Sequence, residues 1–303
     1  MVSIKRILCP VDFSEASRHA IDHAIALAQW YQASITTLHV CSPMFMPVPG
    51  LPSPEDRVPD AEMKRAHDEA AGGFERAKAA GVRVDVLVDV GRPTQQILDR
   101  AASLPADLIV MGTHGTSGFE HLVLGSVTEK VLRKAPCPVL TVPPHAQATS
   151  QLPFRRLLCA VDFSGHSLTA LEFACSLAQE SHAALTTLHV IEWPWEEPPA
   201  PRLQDLPREQ ATALAEFRRY VEKTASDRLE TLVPDAVRNR CAPESRVANG
   251  KSYVEILHIA TEIAADLIVM GVHGRNVVDL LLFGSTTNQV VRRATCPVLT
   301  LRH

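Results

Sequence analysis

The chain has 303 residues, of which 46% are hydrophobic and 21% are charged, and its net charge is −4, as in an ordinary globular protein. Because there is no basic excess, we expect no nucleic-acid partner. No apolar run reaches the roughly 20 residues of a membrane helix, the first residues lack the apolar core of a signal peptide, and the seven cysteines form no CxxC pair. These features predict a cytoplasmic protein with reduced thiols and no membrane contact.

The first half of the chain alternates strand and helix signals. Apolar, β-branched runs predict five strands, at residues 7–11, 34–40, 82–88, 107–111 and 138–142. Apolar spacing and helix-start signals predict helices at residues 16–30, in a stretch ending near 80, and at 93–103 and 126–133. Ser14 and Ser126 are predicted to cap the first and last of these helices. The alternation indicates an α/β domain with a parallel sheet and helices on both faces, in which ligands bind beyond the carboxyl ends of the strands.

The second half of the chain repeats the first. Residues 5–40 match residues 155–190 at an offset of 150. From Gly91 and Gly250 onward the offset is 159, so the second copy carries a net insertion of nine residues between Val190 and Gly250. A period this long indicates a duplicated domain and excludes a solenoid. We predict two domains and a linker between them, at residues 1–145, 154–303 and 146–153 respectively.

Each copy carries the same glycine-rich loop after its fourth strand. The pattern is Gly112-x2-Gly115-x9-Gly125-Ser126, and it is repeated with identical spacing at Gly271, Gly274, Gly284 and Ser285. Glycine lets a ligand approach the backbone closely, and a helix begins at the end of the loop, where free N–H groups and the helix dipole favour an anion. The loop therefore predicts a phosphate site; the alternative is that these residues only shape turns and cap helices. The pattern is neither a P-loop nor a Rossmann GxGxxG.

The sequence resembles the ATP-binding branch of the universal stress protein (UspA) family in three features. These are the glycine pattern after an apolar strand, Asp12 after the first strand, and CPVL in the last strand. The resemblance covers nearly the whole chain, twice. It implies two tandem Rossmann-like domains of the adenine nucleotide alpha hydrolase type, each a five-stranded parallel sheet with helices on both faces. It also implies that the last strands of the two halves pair as an internal pseudo-dimer, with a homodimer of tandem chains as a further option.

The same resemblance implies an ATP site in each domain. The residues at the adenine end would be Asp12, Val40, Asp162 and Val190. The residues along the ribose and phosphate path would be Met111, Gly112, His114, Gly115, Met270, Gly271, His273 and Gly274. The residues holding the phosphates would be Gly125, Ser126, Val127, Thr128, Gly284, Ser285, Thr286 and Thr287. The sequence leaves open whether Mg²⁺ accompanies the phosphates.

The sequence departs from the family pattern at three points. Many relatives carry a basic side chain where His114 and His273 stand, so we expect phosphate affinity to be weaker here and to rise at lower pH, where histidine gains charge. Thr286 replaces a usually apolar residue, which is a mild change. The insertion in the second copy, which includes residues 193–201, is expected to reshape the mouth of the second site, and the sequence leaves open whether that site is occupied.

We therefore expect a regulatory protein whose ATP state changes its shape or its choice of an unidentified partner during stress adaptation. One alternative is a slow ATPase in which Asp12 or Asp162 acts as a base. Another is a scaffold whose sites are vestigial or hold a different ligand. The glycine loop offers neither a carboxylate pair for Mg²⁺ nor an arginine finger, and this favours binding over catalysis.

Other polar residues receive structural interpretations. No metal site is predicted, because His19 and His23 are interpreted as an exposed face of the first helix. His39 and His189, which the repeat pairs, are interpreted as hydrogen-bonded strand residues. Cys41, just past a strand end, is the best candidate for a reactive thiol.

Overall fold

Strands and helices alternate through both halves of the chain. The computed structural model describes residues 2–42, 58–114, 124–144, 146, 154–193, 206–273 and 284–302. The strands are β1 (Arg6–Val11), β2 (Ser34–Cys41), β3 (Val84–Val90), β4 (Leu108–Gly112), β5 (Val139–Val142), β6 (Arg156–Ala160), β7 (Ala184–Ile191), β8 (Glu244–Asn249), β9 (Leu267–Gly271) and β10 (Val298–Leu301). The helices are α1 (Glu15–Tyr31), α2 (Asp60–Gly72), α3 (Glu75–Ala79), α4 (Pro93–Ser103), α5 (Ser126–Lys134), α6 (Gly165–Ser181), α7 (Arg208–Leu232), α8 (Asp235–Cys241), α9 (Ser252–Glu262) and α10 (Ser285–Arg293). Apart from Ala146, the predicted linker lies outside the described residues.

Local signals explain where α1 begins and ends. The Ser14 hydroxyl accepts a hydrogen bond from the Ser17 N–H at 3.2 Å, which confirms Ser14 as the N-cap. At the other end Gln32 takes a left-handed conformation with φ 53°, and its N–H donates to the Ala28 carbonyl. The same arrangement recurs in α6 with Ser164 and His182.

Two helix predictions differ from the structure. The stretch predicted to end near residue 80 is two helices, because Gly73 and the fully buried Phe74 interrupt it where it packs closely on α1. The prediction that Ser126 caps α5 is wrong: Gly125 is the cap residue, and Ser126 is the first helical residue. Gly284 and Ser285 have the same places in α10.

All ten described strands belong to one sheet, with the order β3-β2-β1-β4-β5-β10-β9-β6-β7-β8. Within each half every pairing is parallel, so each half is a five-stranded parallel sheet as predicted. The halves join where β5 and β10 pair antiparallel, with Leu140 opposite Leu299. Across this junction the Thr141 hydroxyl donates to the Val298 carbonyl at 3.1 Å, and the Thr300 hydroxyl donates to the Val139 carbonyl at 3.3 Å. The last strands therefore form an internal pseudo-dimer.

The core lies on both faces of this sheet. Side chains alternate along each parallel strand, so Ile7 packs in one apolar cluster and its neighbour Leu8 in the other. The first cluster takes residues of α1, α2, α3, α6, α7 and α8, and the second takes residues of α4, α5, α9 and α10. Since both clusters contain residues of both halves, the two domains share a continuous core. Within the described part of the chain, no helix has the length and apolarity needed to cross a membrane.

Candidate functional site

The candidate site lies at the switch point of each half-sheet, where the strand order reverses. β1 pairs with β4 and β6 pairs with β9, although neither pair is consecutive in the chain. Asp12 and Asp162 follow β1 and β6, while Gly112 and Gly271 end the neighbouring strands. The structure therefore brings together two of the regions that the sequence predicted, at the crevice where open α/β sheets bind their ligands.

Each aspartate is held in a tight turn that starts a helix. Asp12 Oδ1 accepts hydrogen bonds from the Ser14 N–H at 3.1 Å and from the Ser14 hydroxyl at 2.6 Å. Asp162 Oδ1 accepts the same two bonds from Ser164, at 3.0 and 2.6 Å. These bonds fix the aspartate carboxylates relative to the first turns of α1 and α6.

An aromatic pair supports the base of each turn. Phe13 has a left-handed backbone with φ 64°, and its ring stacks on His39 with centroids 4.4 Å apart. His39 Nδ1 lies 2.9 Å from the Val11 carbonyl oxygen. In the second half the ring of Phe163 packs on that of His189 in a tilted arrangement, with centroids 4.5 Å apart. Both histidines are thus hydrogen-bonded strand residues, as interpreted from the sequence.

The glycines that end β4 and β9 allow the helix to approach the strand. A Cβ on Gly112 would lie 2.9 Å from the carbonyl carbon of Ala16, and one on Gly271 would lie 2.9 Å from that of His166. No side chain fits at such distances without a shift of the backbone. These glycines are therefore needed to pack α1 and α6 against the strands, a role that the sequence did not reveal.

The start of α5 and α10 forms the other wall of the crevice. The Thr128 hydroxyl is buried and donates to the Gly112 carbonyl at 3.0 Å, and Thr287 donates to the Gly271 carbonyl at 2.9 Å. These bonds tie the first helical turn to the strand end. Ser126 and Ser285, two residues earlier, are exposed at the helix start. The first-turn N–H groups of a helix have no partner within the helix, so this end of the crevice suits an anion.

The histidines at the strand ends differ between the halves. His114 is half-buried, and its Nδ1 lies 2.9 Å from the Thr113 hydroxyl oxygen. His273 is almost fully buried, and its ring meets that of His166 edge to face at 5.5 Å. Gly115 and Gly274, predicted to line the same path, lie outside the described residues.

In the second half the predicted residues line a cavity of about 590 Å³. The predicted residues in its lining are Asp162, Val190, Met270, Gly271, His273, Gly284, Ser285, Thr286 and Thr287. The lining contains the start of α10, the apolar side chains of Val190, Ile191, Val221 and Ile256, and the polar residues Glu192 and Ser252. The cavity therefore combines a helix start suited to an anion with apolar surface suited to a flat ring.

The comparison with known proteins identifies the family. The model of the universal stress protein family matches residues 3–143 and again residues 153–302. The chain belongs to the universal stress protein family.

Individual universal stress proteins match one half or the whole chain. A universal stress protein of Methanocaldococcus jannaschii is 36% identical over 140 residues, which are 46% of this chain and 81% of that protein. A universal stress protein of Mycolicibacterium smegmatis is 27% identical over 98% of this chain and 96% of its own length. The crystal structure of a universal stress protein from Archaeoglobus fulgidus covers 98% of both chains with a TM-score of 0.68 and 24% identity, which confirms the tandem fold.

Some residues of this universal stress protein's crevice were missed by sequence reasoning. Ser17 and Ser167 are buried, and their hydroxyls accept the N–H of Asp12 and Asp162 at 3.3 Å. Their repetition at the offset of 150 was a signal that could have found them. Val221 of α7 had no such signal, because the sequences before β3 and β8 have diverged.

Two structural interpretations need correction. His23 does not lie on an exposed face: it is 2% exposed, its Nδ1 lies 2.9 Å from the His19 carbonyl oxygen, and burial lowers its pKa. Cys41 is buried too, and burial, with a smaller effect from the negative charge of Glu62, raises the pKa of its thiol. A raised pKa disfavours the reactive thiolate, so the structure gives no support for a reactive thiol at Cys41.

Proposed function

We propose that this tandem universal stress protein binds ATP in the crevice of each domain and acts in the cytoplasm as a regulatory protein in stress adaptation. The observation that carries the proposal is the cavity of about 590 Å³, which is lined both by a helix start and by apolar side chains. A volume of roughly 300–1,000 Å³ is usual for small-ligand sites, so the cavity is large enough for a nucleotide.

The start of α10 supports a phosphate-binding role. Gly284 places the helix start at the mouth of the crevice, and the exposed Ser285 hydroxyl can donate to a phosphate oxygen. The dipole of the helix favours negative charge at this end. Since Thr287 is already bonded to the Gly271 carbonyl, we assign it the role of fixing the helix start.

The apolar part of the lining supports binding of a base. Val190, Ile191, Val221 and Ile256 present apolar surface, and burying a planar base against it removes that surface from water. The terminal strand carbonyl and N–H groups near Val190 can supply hydrogen bonds to the ring edge. Asp162, whose carboxylate is fixed by Ser164, also lines the cavity.

The first domain has the matching parts. It has the same turn at Asp12, the same strand end at Gly112 and the same bond from Thr128 to Gly112. The lengths of the corresponding hydrogen bonds in the two domains agree within about 0.1 Å. We therefore include the first domain in the proposal. In both domains the aspartate is bonded to the N-cap serine, which supports a positioning role for it.

The test is equilibrium dialysis of the full chain with ATP, with and without Mg²⁺. The double variant Ser126→Asp, Ser285→Asp places a carboxylate at each proposed phosphate position. An acidic residue in the first turn interacts favourably with the helix dipole, so the substitution does not destabilise the helix. We expect this double variant to stay folded and to bind ATP at least about tenfold more weakly, which corresponds to about 1.4 kcal/mol.

The control is Ser126→Asn with Ser285→Asn, which has a similar shape without the charge and is expected to bind ATP nearly as the parent does. Absence of ATP binding by the parent chain, or equal binding by the aspartate and asparagine variants, would contradict the proposal.

A further inference from the structure

The two domains differ at a position that, in the second domain, contributes to the apolar lining of the cavity. The separation of Gly91 and Gly250, which is 159 residues, also aligns α2 with α7. Burial supports this register, because the buried positions coincide. The matched buried pairs are Ala66 with Ala225, Ala70 with Leu229, and Phe74 with Val233. The alignment places Glu62 of α2 at the position that Val221 occupies in α7.

In the second domain this position is apolar. Val221 lines the cavity and packs with Ile191, Trp193 and Ala225 in a small cluster of their own. It thus extends the apolar surface that Ile256 presents to the cavity.

Side-chain bonds hold α7 in place beside the cavity. The Asn249 amide donates to Glu222 Oε1 at 2.7 Å, and the Trp193 indole N–H donates to Asn249 Oδ1 at 2.7 Å. The Arg228 guanidinium lies 4.1 Å from the ring centre of Phe163, next to Asp162. The wall formed by Val221 is therefore fixed relative to the crevice.

In the first domain the same position is acidic. Glu62 is exposed in the first turn of α2, and its charge contributes to raising the pKa of the thiol of Cys41. Cys41 ends β2 and corresponds to Ile191 in the repeat. Glu62 is therefore an exposed acidic residue on a helix that packs against β2 and β3, whereas the matching residue of the second domain is apolar.

The second domain also has a carboxylate in the lining of its cavity, Glu192, but this carboxylate is bonded to the start of a helix. Glu192 Oε1 accepts the Ser252 N–H at 2.6 Å, at the start of α9. The positive end of the helix dipole offsets its charge there.

We propose that the second domain binds the nucleotide more tightly than the first, and that the equivalent residues Glu62 and Val221 determine this difference in affinity. This inference rests on the proposed function. Val221 gives the base an apolar wall, whereas a base at Glu62 would remove water from a carboxylate, and the carboxylate would also repel the phosphates. Because Val221 aligns with Glu62, this difference comes from an aligned residue and not from the nine-residue insertion.

The experiment is photo-crosslinking of the full chain with 2-azido-ATP at less than one equivalent, followed by mass spectrometry of the labelled peptides. We expect the label mainly in peptides of the second domain. Isothermal titration of the same chain with ATP is expected to give two affinities that differ by about tenfold or more.

Exchanging the two residues tests the cause. Val221→Glu is expected to weaken the tight site about tenfold, and Glu62→Val is expected to strengthen the weak one, so that label moves to the first domain. Val254→Glu is the matched control, because Val254 is 43% exposed on α9 and is not among the described residues that line the cavity. Val221→Thr, which keeps the shape of valine, replaces Val221→Glu if circular dichroism shows that the latter is unfolded.

The outcomes separate this inference from the proposed function. If ATP does not bind to the parent chain, both are wrong. If ATP binds but labels the two domains equally, or if folded Val221 variants label as the parent does, only the inference is overturned.

Discussion

At the scale of single residues, the glycines of the crevice have two roles that sequence reasoning did not separate. The pattern suggested close approach of a ligand, but at Gly112 and Gly271 the structure also shows close approach of a helix. A Cβ at Gly112 would meet both the carbonyl carbon and the Cβ of Ala16 at 2.9 Å. The identical spacing in the two copies therefore reflects packing as well as any ligand.

We predict that Gly112→Ala destabilises the protein by about 1–3 kcal/mol, because the added methyl group must push α1 away from β4. Gly72→Ala is the matched control, since a Cβ there meets nothing within 4 Å. We expect that substitution to leave stability within about 1 kcal/mol of the parent or to raise it slightly. Urea unfolding followed by circular dichroism measures both. Equal stability of the two variants would show that the contact with Ala16 is relieved without cost.

At the scale of secondary structure, signals within a segment were sufficient for most elements. α4 has the predicted bounds, and Ser14 caps α1 because its hydroxyl meets the Ser17 N–H in the same turn. The break between α2 and α3 could not be predicted, because it depends on contact between Gly73 and Ile21 of another helix. The cap of α5 was misassigned by one residue, because Ser126 is itself the first helical residue.

In the candidate site, too, the local features could be predicted from the sequence and the contacts between distant segments could not. The glycine loops and the Asp12 turn were visible in the sequence, because they are local and repeated. The wall formed by Val221 was not visible, since α7 reaches the crevice through its packing on β7 and β8, which are distant from it in the chain. A sequence pattern within one segment carries no information on such a contact.

We predict that Asn249→Val, which introduces the residue found at the matching position of the first domain, loosens α7. It removes the bonds to Glu222 and to the Trp193 indole, each 2.7 Å long and contributing about 1 kcal/mol. Hydrogen exchange should become faster in the peptides of α7. Thr224→Val is the control, because the Thr224 hydroxyl donates to the Tyr220 carbonyl of the same helix. Unchanged protection of α7 in Asn249→Val would show that apolar packing alone holds the helix.

At the scale of the whole molecule, the two domains are joined by more than the pairing of β5 with β10. Glu180 near the end of α6 contacts the first domain at two points. Its Oε2 accepts the Tyr31 hydroxyl at 3.2 Å, and its Oε1 accepts the Val2 N–H at 2.6 Å. The ends of α1 and α6, which the repeat makes equivalent, thus meet across the pseudo-two-fold axis. The repeat places Trp30 at the position that corresponds to Glu180, so the first half has no carboxylate with which to duplicate this contact.

The contact between Tyr31 and Glu180 predicts how stability changes in alkaline solution. Burial, and to a lesser degree the charge of Glu180, raises the pKa of Tyr31 above its usual value of about 10. Above about pH 10 the unfolded chain releases this proton while the folded chain keeps it. The stability that Tyr31 contributes is therefore complete below about pH 10 and is lost as the pH rises further.

We therefore expect Tyr31→Phe to be less stable than the parent by about 1 kcal/mol at about pH 8, because the bond to Glu180 is lost. Between about pH 8 and pH 11 we expect the stability of this variant to fall less than that of the parent. Urea midpoints of the two proteins should converge as the pH rises. Tyr220→Phe serves as the control, because Tyr220 is 68% exposed and should follow the parent at both pH values. If Tyr31→Phe loses as much stability as the parent over this interval, the phenol of Tyr31 is not the group that titrates, and the contact with Glu180 does not couple the domains to pH.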